Sequence, residues 1–374
     1  MTVALKKETI RIVVSGGGTA GHIYPAIAVV EAIEKRLGKE NCQVLFIGVE
    51  GKMECNIVPN YDYQFETLKV SGLIRKPTLK NIAIATNIAL SVFKARKLIK
   101  KFKPDAVIGF GGYVSAPVIF ASLAVKTKRY IWEGNSFAGL SNRLVKDIVD
   151  DVFVSFPNME KFFPESNIIE SGSPIRGNMS IGERKGEAAL QKYGFNSMQK
   201  VILITGGSLG ARQINEAFLA NIDKVIEDKS VGVIWQTGKL YYEEMLERVE
   251  GKECSNITIL PFLDDISSAY SITDTIICRS GSSTVAEVAR CEIAALFVPS
   301  SGVTDDHQTK NALSVVESGG AEMISDSEAI EKMVPMALAL VKDDQKRSAM
   351  IKILKRFAHN DAADVIANKL IMNN

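Results

Sequence analysis

The chain has 374 residues, 46% of them hydrophobic and 24% charged, with a formal net charge of +2. That length is too great for one ordinary core and suits two domains. The near-neutral balance gives no footing for nucleic-acid binding, and none is expected. The five cysteines (Cys42, Cys55, Cys254, Cys278 and Cys291) form no Cys-x-x-Cys pair. They read as residues of a reducing compartment, with neither a disulfide framework nor a zinc site. Residues 1–9 contain Lys6, Lys7 and Glu8 and no apolar stretch, so no signal peptide is expected. No run reaches the ~18 apolar residues that a membrane span needs.

Taken in chain order, the apolar runs are Ile10–Ser15, Gln43–Gly48, Ala106–Phe110, Arg129–Trp132, Asp151–Ser155, Val201–Thr205, Val231–Gln236, Thr275–Cys278 and Ala294–Pro299. They are almost continuously apolar rather than alternating, as parallel strands covered on both faces should be. Helical patterns lie between them, which predicts an α/β architecture. Ile12-Val-Val-Ser-Gly16-Gly-Gly18 is echoed by Ile202-Leu-Ile-Thr-Gly206-Gly-Ser208. Each is a strand, a glycine turn and then a helix, and each starts a new βαβ series. Two Rossmann-like domains are therefore expected, residues 1–174 and 175–344, with the boundary near Ser173-Pro174-Ile175-Arg176. Residues 345–374 read as a helical segment that crosses back onto the first domain.

Gly16-Gly-Gly-Thr-Ala-Gly21 fits G-x-G-x-x-G literally, the dinucleotide fingerprint. Alone, that motif marks a ligand-free tight turn as readily as a ligand site. Glycines let backbone approach a ligand closely, and the helix that follows turns free N–H groups toward it. Diphosphates and sugar hydroxyls can use this as well as NAD. The NAD reading needs an acidic residue after the second strand, and Glu50 is available. It explains neither His22, directly after the turn, nor the second turn at Gly206-Gly-Ser208-Leu-Gly-Ala-Arg212. His22 suits a general base near neutral pH. The second turn can donate to a leaving diphosphate, with Arg212 and Arg279 as cationic candidates. No Asp-x-Asp pair is present to hold a metal, so no metal or cofactor is expected.

Cys278-Arg-Ser-Gly-Ser-Ser-Thr-Val-Ala-Glu287 follows a strand and opens a helix. Ser282 and its neighbours can cap that helix. Glu287 reads either as a favourable acid in its first turn or as the acceptor of both hydroxyls of a ribose. Asp306-His-Gln-Thr-Lys-Asn311 looks like a second capped start, whose His307, Gln308 and Asn311 could meet sugar hydroxyls. His359 reads as a surface residue of the terminal helix.

Several motifs in order make the reading specific. Gly17–Pro25, Val70-Ser-Gly-Leu73, Gly111-Gly-Tyr-Val-Ser115, Gly206–Arg212, Cys278–Gly281 with Glu287, and Asp306-His-Gln308 with Asn311 resemble the MurG family. These are bacterial transferases that add N-acetylglucosamine to lipid I to make lipid II in peptidoglycan synthesis. The resemblance implies a GT-B fold, two Rossmann-like domains facing a central cleft, and inverting, metal-independent transfer from UDP-N-acetylglucosamine to the C4 hydroxyl of lipid I. It implies His22 as base, with Gly18, Thr19 and Tyr113 in the acceptor cleft. On the donor side it implies Thr19, Ala20, Gly21, Asn135, Arg176, Ser208 at the phosphate, Leu263 beside Phe262 at the uracil edge, Arg279, Ser282, Glu287 at the ribose, and His307 and Gln308 at the sugar. The chain departs from the family pattern at Trp132-Glu-Gly-Asn135, where the family has His-Glu-Gln-Asn or Gln-Glu-Gln-Asn. It departs again at Ser173, where the family has Asn.

From Thr67 to Pro104 no acidic residue occurs. Ten basic residues between Lys69 and Lys103 are interleaved with Leu79, Ile82, Ile84, Ile88, Leu90, Val92 and Phe93. The pattern fits a helix with one core face and one solvated basic face. It also fits a peripheral anchor on anionic lipid at the cytoplasmic face of the membrane, which a lipid-linked acceptor requires. Two other readings stay open on residues alone: a UDP-N-acetylglucosamine 2-epimerase, and a non-catalytic binder of the nucleotide sugar. NAD-dependent oxidoreduction comes last.

Overall fold

The computed structural model describes residues 9–71, 79–175, 186–207, 209–302, 306–359 and 361–372. The chain separates into two compact units, Met1–Arg176 with His359–Asn374, and Gly177–Ala358.

Among the described residues, the first unit holds seven parallel strands in the order β3-β2-β1-β4-β5-β6-β7. They are β1 Ile10–Ser15, β2 Cys42–Val49, β3 Gln64–Leu68, β4 Ala106–Gly109, β5 Lys128–Glu133, β6 Asp151–Val154 and β7 Ile168–Glu170. Successive strand residues point to opposite faces, and both faces are covered. Ile12, Val14, Phe46 and Ile108 face one core, together with Ile23, Ile27 and Val30 of the helix Ala20–Leu37. Val13, Leu45, Ile47 and Val107 face the other, with Val118 and Ile119. Covered on both sides, the strands have no polar face to alternate with, which is why their sequences read as unbroken apolar runs.

Among the described residues, the second unit repeats the plan with six strands, in the order β10-β9-β8-β11-β12-β13. These are β8 Lys200–Thr205, β9 Val231–Gln236, β10 Ile257–Leu260, β11 Thr275–Cys278, β12 Ala294–Phe297 and β13 Glu322–Met323. All pairings are parallel. Its main core gathers Ile202, Ile204, Phe218, Val233, Trp235 and Leu296.

The return to the first unit comes later than residue 345. The helix Asp344–Leu354 stays with the second unit, where Met350 packs with Leu340 and Ala294. The chain rejoins the first unit at His359. The helix Ala362–Met372 then puts Ile366, Ala367 and Leu370 into the core shared with the first helix. Arg36 meets Asp364 there at 2.8 Å. His359 precedes this helix rather than lying on it, and it is half-buried against Gly172.

Candidate active site

In an open parallel sheet, ligands bind beyond the carboxyl ends of the strands, at the point where the strand order reverses. In the first unit that point lies between β1 and β4, and two glycine loops meet there. Gly18 takes φ +83° and Gly112 φ +76°, conformations that glycine adopts without strain. A Cβ on Gly112 would stand 2.5 Å from the Gly17 carbonyl oxygen, so the loops touch backbone to backbone.

His22 sits in the first turn of the helix Ala20–Leu37, which begins directly after this loop. Its Nδ1 lies 2.9 Å from the Gly17 carbonyl oxygen and 3.2 Å from Thr19 Oγ1. A carbonyl only accepts, so in the neutral ring Nδ1 carries the hydrogen and Nε2 is the basic nitrogen. The ring lies against Gly111, where a Cβ would come within 2.9 Å of Nε2. Gly18, Thr19 and Ala20 are exposed at the mouth of the loop, and Tyr113 is exposed beside it.

Glu54, which the sequence reading passed over, braces this loop. It is fully buried, and its carboxylate accepts from Gly18 N–H at 3.0 Å and Val49 N–H at 2.7 Å. Gly17 has no room for a side chain because Glu54 Oε1 would lie 2.0 Å from a Cβ there. Replacing Glu54 by Ala strands the buried Val49 N–H, at about 1–3 kcal/mol for a buried unsatisfied group, and releases the exposed Gly18 N–H. A loss of roughly 2 kcal/mol or more in urea-unfolding stability is expected. An unchanged midpoint would mean that the loop holds itself.

After β5, the buried Glu133 organises the next loop. It accepts from the backbone N–H groups of Asn135 at 3.0 Å and Gly139 at 2.8 Å, and from Asn142 Nδ2 at 2.9 Å. Burial pushes its carboxyl above the usual range, against the pull of these hydrogen bonds. Asn135 also turns its side-chain amide to Glu133, at 3.4 Å.

In the second unit the order reverses between β8 and β11. Gly206 and Gly207 follow β8. Gly207 N–H donates to Thr205 Oγ1 at 3.1 Å, and Gln236 Nε2 donates to the Gly207 carbonyl at 2.9 Å. A Cβ on Gly210 would lie 2.1 Å from the Thr237 carbonyl oxygen, so this loop is seated on the one after β9. Ser208 lies outside the described residues, as does Arg176.

The two cationic candidates are both engaged. Arg212 makes a paired contact with Glu244 at 3.1 and 3.0 Å. Arg279 donates to Asp326 at 2.5 Å and to the Val298 carbonyl at 2.8 Å. Asp326 lies 47 residues from Arg279 and escaped the sequence reading, because nothing local couples the two. The Arg279 strut joins the ends of β11 and β12.

Ser282 is the first residue of the helix Ser282–Arg290, which carries Glu287. Glu287 accepts from the buried Tyr270 hydroxyl at 3.4 Å, and burial pushes its carboxyl up to about 7. His307 and Gln308 open the helix His307–Val316, behind Asp306 in a left-handed conformation at φ +53°. Gln308 fastens this start to β11 and β12. Its carbonyl accepts from Ser280 Oγ at 2.8 Å, and its Oε1 accepts from Ser300 N–H at 2.9 Å. Leu263 is buried after β10, beside Phe262, whose ring lies under Lys239 at 5.2 Å. Each described candidate thus lies beyond the carboxyl end of a strand of its own unit. Among the described residues, no three His, Cys, Asp or Glu converge as a metal-ligand set.

Comparison with known proteins gives a family for each unit. Residues 12–154 match the glycosyltransferase family 28 N-terminal domain, and residues 201–366 match the family 28 C-terminal domain. A relative from Bacteroides fragilis is 37% identical over 97% of this chain and 96% of its own length. One from Bacteroides thetaiotaomicron is 38% identical over 98% of each. Both are named UDP-N-acetylglucosamine–N-acetylmuramyl-(pentapeptide) pyrophosphoryl-undecaprenol N-acetylglucosamine transferase. The crystal structure of Acinetobacter baumannii MurG superposes with a TM-score of 0.78 at 28% identity, covering 96% of this chain and 99% of that one. A putative UDP-N-acetylglucosamine 2-epimerase from Listeria monocytogenes covers 96% of this chain and 95% of its own, with a TM-score of 0.65 at 15% identity, and so shares the fold alone. The fold is GT-B, and the chain is a glycosyltransferase that belongs to the MurG family within glycosyltransferase family 28.

Proposed function

We propose that this chain transfers N-acetylglucosamine from UDP-N-acetylglucosamine to the C4 hydroxyl of lipid I, with inversion, and so forms lipid II. The observation that carries the reading is the imidazole of His22, fixed by the Gly17 carbonyl with Nε2 as its basic nitrogen at the switch point of the first unit. In the step, Nε2 takes the proton of the acceptor hydroxyl. The oxygen attacks C1 of the donor sugar from the face opposite the diphosphate. The bond from C1 to the phosphate oxygen breaks, and UDP leaves with the electron pair. Gly18 and Tyr113 line the acceptor side, with Thr19 at the loop between acceptor and donor. Ala20, Gly21, Asn135 and Arg176 complete the donor contacts of the first unit. In the second unit, Ser208 and the loop after β8 meet the phosphates, Leu263 meets the uracil and Glu287 the ribose. Arg279 and Ser282 shape that pocket, and His307 and Gln308 meet the sugar. Incubation with labelled donor and a lipid I analogue tests this. Acceptor-dependent appearance of the labelled disaccharide is expected. Donor turnover to another sugar without acceptor would overturn the reading.

The same reading places the chain on the cytoplasmic face of an anionic membrane. Among the described residues no helix is long and apolar enough to cross a bilayer. The helix Leu79–Phe102 nonetheless exposes Leu90 and Phe93 among Lys94, Arg96, Lys97, Lys100 and Lys101. The helix Ser115–Ser122 packs beside it, and Phe120 and Leu123 are exposed there. Each basic residue near such a surface contributes ~1 kcal/mol. Binding to vesicles containing phosphatidylglycerol is expected to fall steeply between low and high salt. Binding that ignores salt, or no binding, would remove the anchor.

A further inference from the structure

Trp132 is buried to 1% exposure at the end of β5. Its ring lies 5.8 Å from that of Phe110, inclined at 42°. Phe110 is the residue before Gly111, on whose backbone the His22 ring rests. On its other side Phe110 meets the first glycine turn: a Cβ on Gly16 would lie 3.1 Å from Phe110 Cβ and 3.2 Å from the His22 carbonyl oxygen. Phe110 is thus wedged between the indole and the turn that carries His22. The indole is pinned at its far side. Nε1 donates to the Gly172 carbonyl at 3.1 Å, and Gly172, at φ +78°, has backbone where a Cβ would stand 2.1 Å from His359 Cβ.

The outer edge of this ring fills the space above Gly134. A Cβ there would lie 2.4, 2.9 and 3.0 Å from Trp132 Cη2, Cζ3 and Cζ2. Those atoms belong to a rigid ring held at Nε1 and against Phe110, so they cannot swing aside as a flexible side-chain end would. The two departures from the family pattern are therefore one exchange of volume: a larger ring at 132 and no side chain at 134.

We propose that Trp132 is a positioning residue for His22, acting through Phe110 and Gly111, and that Gly134 is kept bare to admit its ring. The proposal rests on His22 being the base. The test compares Trp132→Phe, Gly134→Ala, the double variant and His22→Ala in the full chain, each for kcat, donor KM and thermal midpoint. Phe lacks the outer ring and the N–H. Gly134→Ala is expected to lower kcat on the order of ten- to a hundredfold, as misplacement of a catalytic group does, with donor KM within about twofold. Trp132→Phe should lower kcat less. In the Trp132→Phe background, Gly134→Ala should cost almost nothing further, because the colliding atoms are gone.

Equal losses from Gly134→Ala in both backgrounds would overturn the proposal. So would wild-type kcat in both single variants, or a rise in donor KM and a fall in thermal midpoint that match the loss in kcat. Wild-type turnover by His22→Ala would overturn the assignment of the base, and this proposal with it, whatever the other variants do.

Discussion

His22→Ala is expected to reduce kcat by roughly 10²- to 10⁴-fold, the usual contribution of a positioned general base, while UDP binds as in the wild type. The expectation follows from geometry. The Gly17 carbonyl holds Nδ1, which fixes both the tautomer and the ring plane, and the Gly111 backbone closes one side of the ring. Alanine keeps the helix, since its propensity there exceeds that of histidine, so the loss should be chemical rather than structural. Transfer rates under saturating donor and calorimetric titration with UDP separate the two. A variant that keeps its rate within a few-fold would show that the acceptor oxygen loses its proton elsewhere. A variant that loses UDP affinity in proportion would make His22 a donor ligand instead.

Glu287→Gln should produce opposite changes in binding and stability. The carboxyl titrates at about 7 in the ligand-free protein, raised by burial from an ordinary 4.5. Only the carboxylate offers a separate, unprotonated acceptor oxygen to each ribose hydroxyl, so UDP affinity is expected to rise with pH through about 7 and then level off. The Gln variant should lose this pH dependence. Its affinity above pH 8 should be lower by on the order of 1.5–3 kcal/mol, the range for a hydrogen bond to a charged group, or about ten- to a hundredfold. Stability runs the other way. The folded state binds the proton more tightly than the unfolded chain, so this contribution is complete below 4.5 and is lost as pH rises from there through 7. The variant should therefore melt higher than the wild type at pH 8 and show no such gain at pH 4.5. UDP binding that is flat with pH in the wild type would exclude Glu287 from the ribose.

The strands that the sequence reveals are the interior ones. All nine predicted runs are found, and they are β1, β2, β4, β5 and β6 in one sheet and β8, β9, β11 and β12 in the other. Among the described residues the four that escape are β3, β7, β10 and β13, the two edges of each sheet. An interior strand is buried on both faces and flanked on both sides, so it must be apolar throughout. An edge strand such as Gln64–Leu68 or Glu322–Met323 has partly exposed residues and can be short and polar. The glycine turns were legible because positive φ and close backbone approach demand glycine. The partners of those turns were not. Glu50 has the spacing of a ligand-binding acid, yet it lies exposed beside Lys69 at 3.8 Å. Glu54, four residues later, is the one that meets the glycine loop. Arg212 and Arg279 read only as cationic candidates for a diphosphate, because Glu244 and Asp326, which engage them, stand 32 and 47 residues away. Sequence locates a loop by its backbone needs, but long-range pairing of charges leaves no local mark.

The contact between the helices Ala20–Leu37 and Ala362–Met372 bears on how the molecule is made. A ribosome releases residues 20–37 early, but Ile366, Ala367 and Leu370, which seal the same core, emerge only after the whole second unit. The intervening second unit owns all of its strands and can fold while still tethered. The amino-terminal sheet must wait with part of one core uncovered until residues 362–372 emerge, because its closing helix follows the whole second unit. The unit whose first strand is made before the other unit is completed only after it. A nascent chain stalled short of residue 362 would expose Ile23, Ile27 and their neighbours to whatever chaperones attend it.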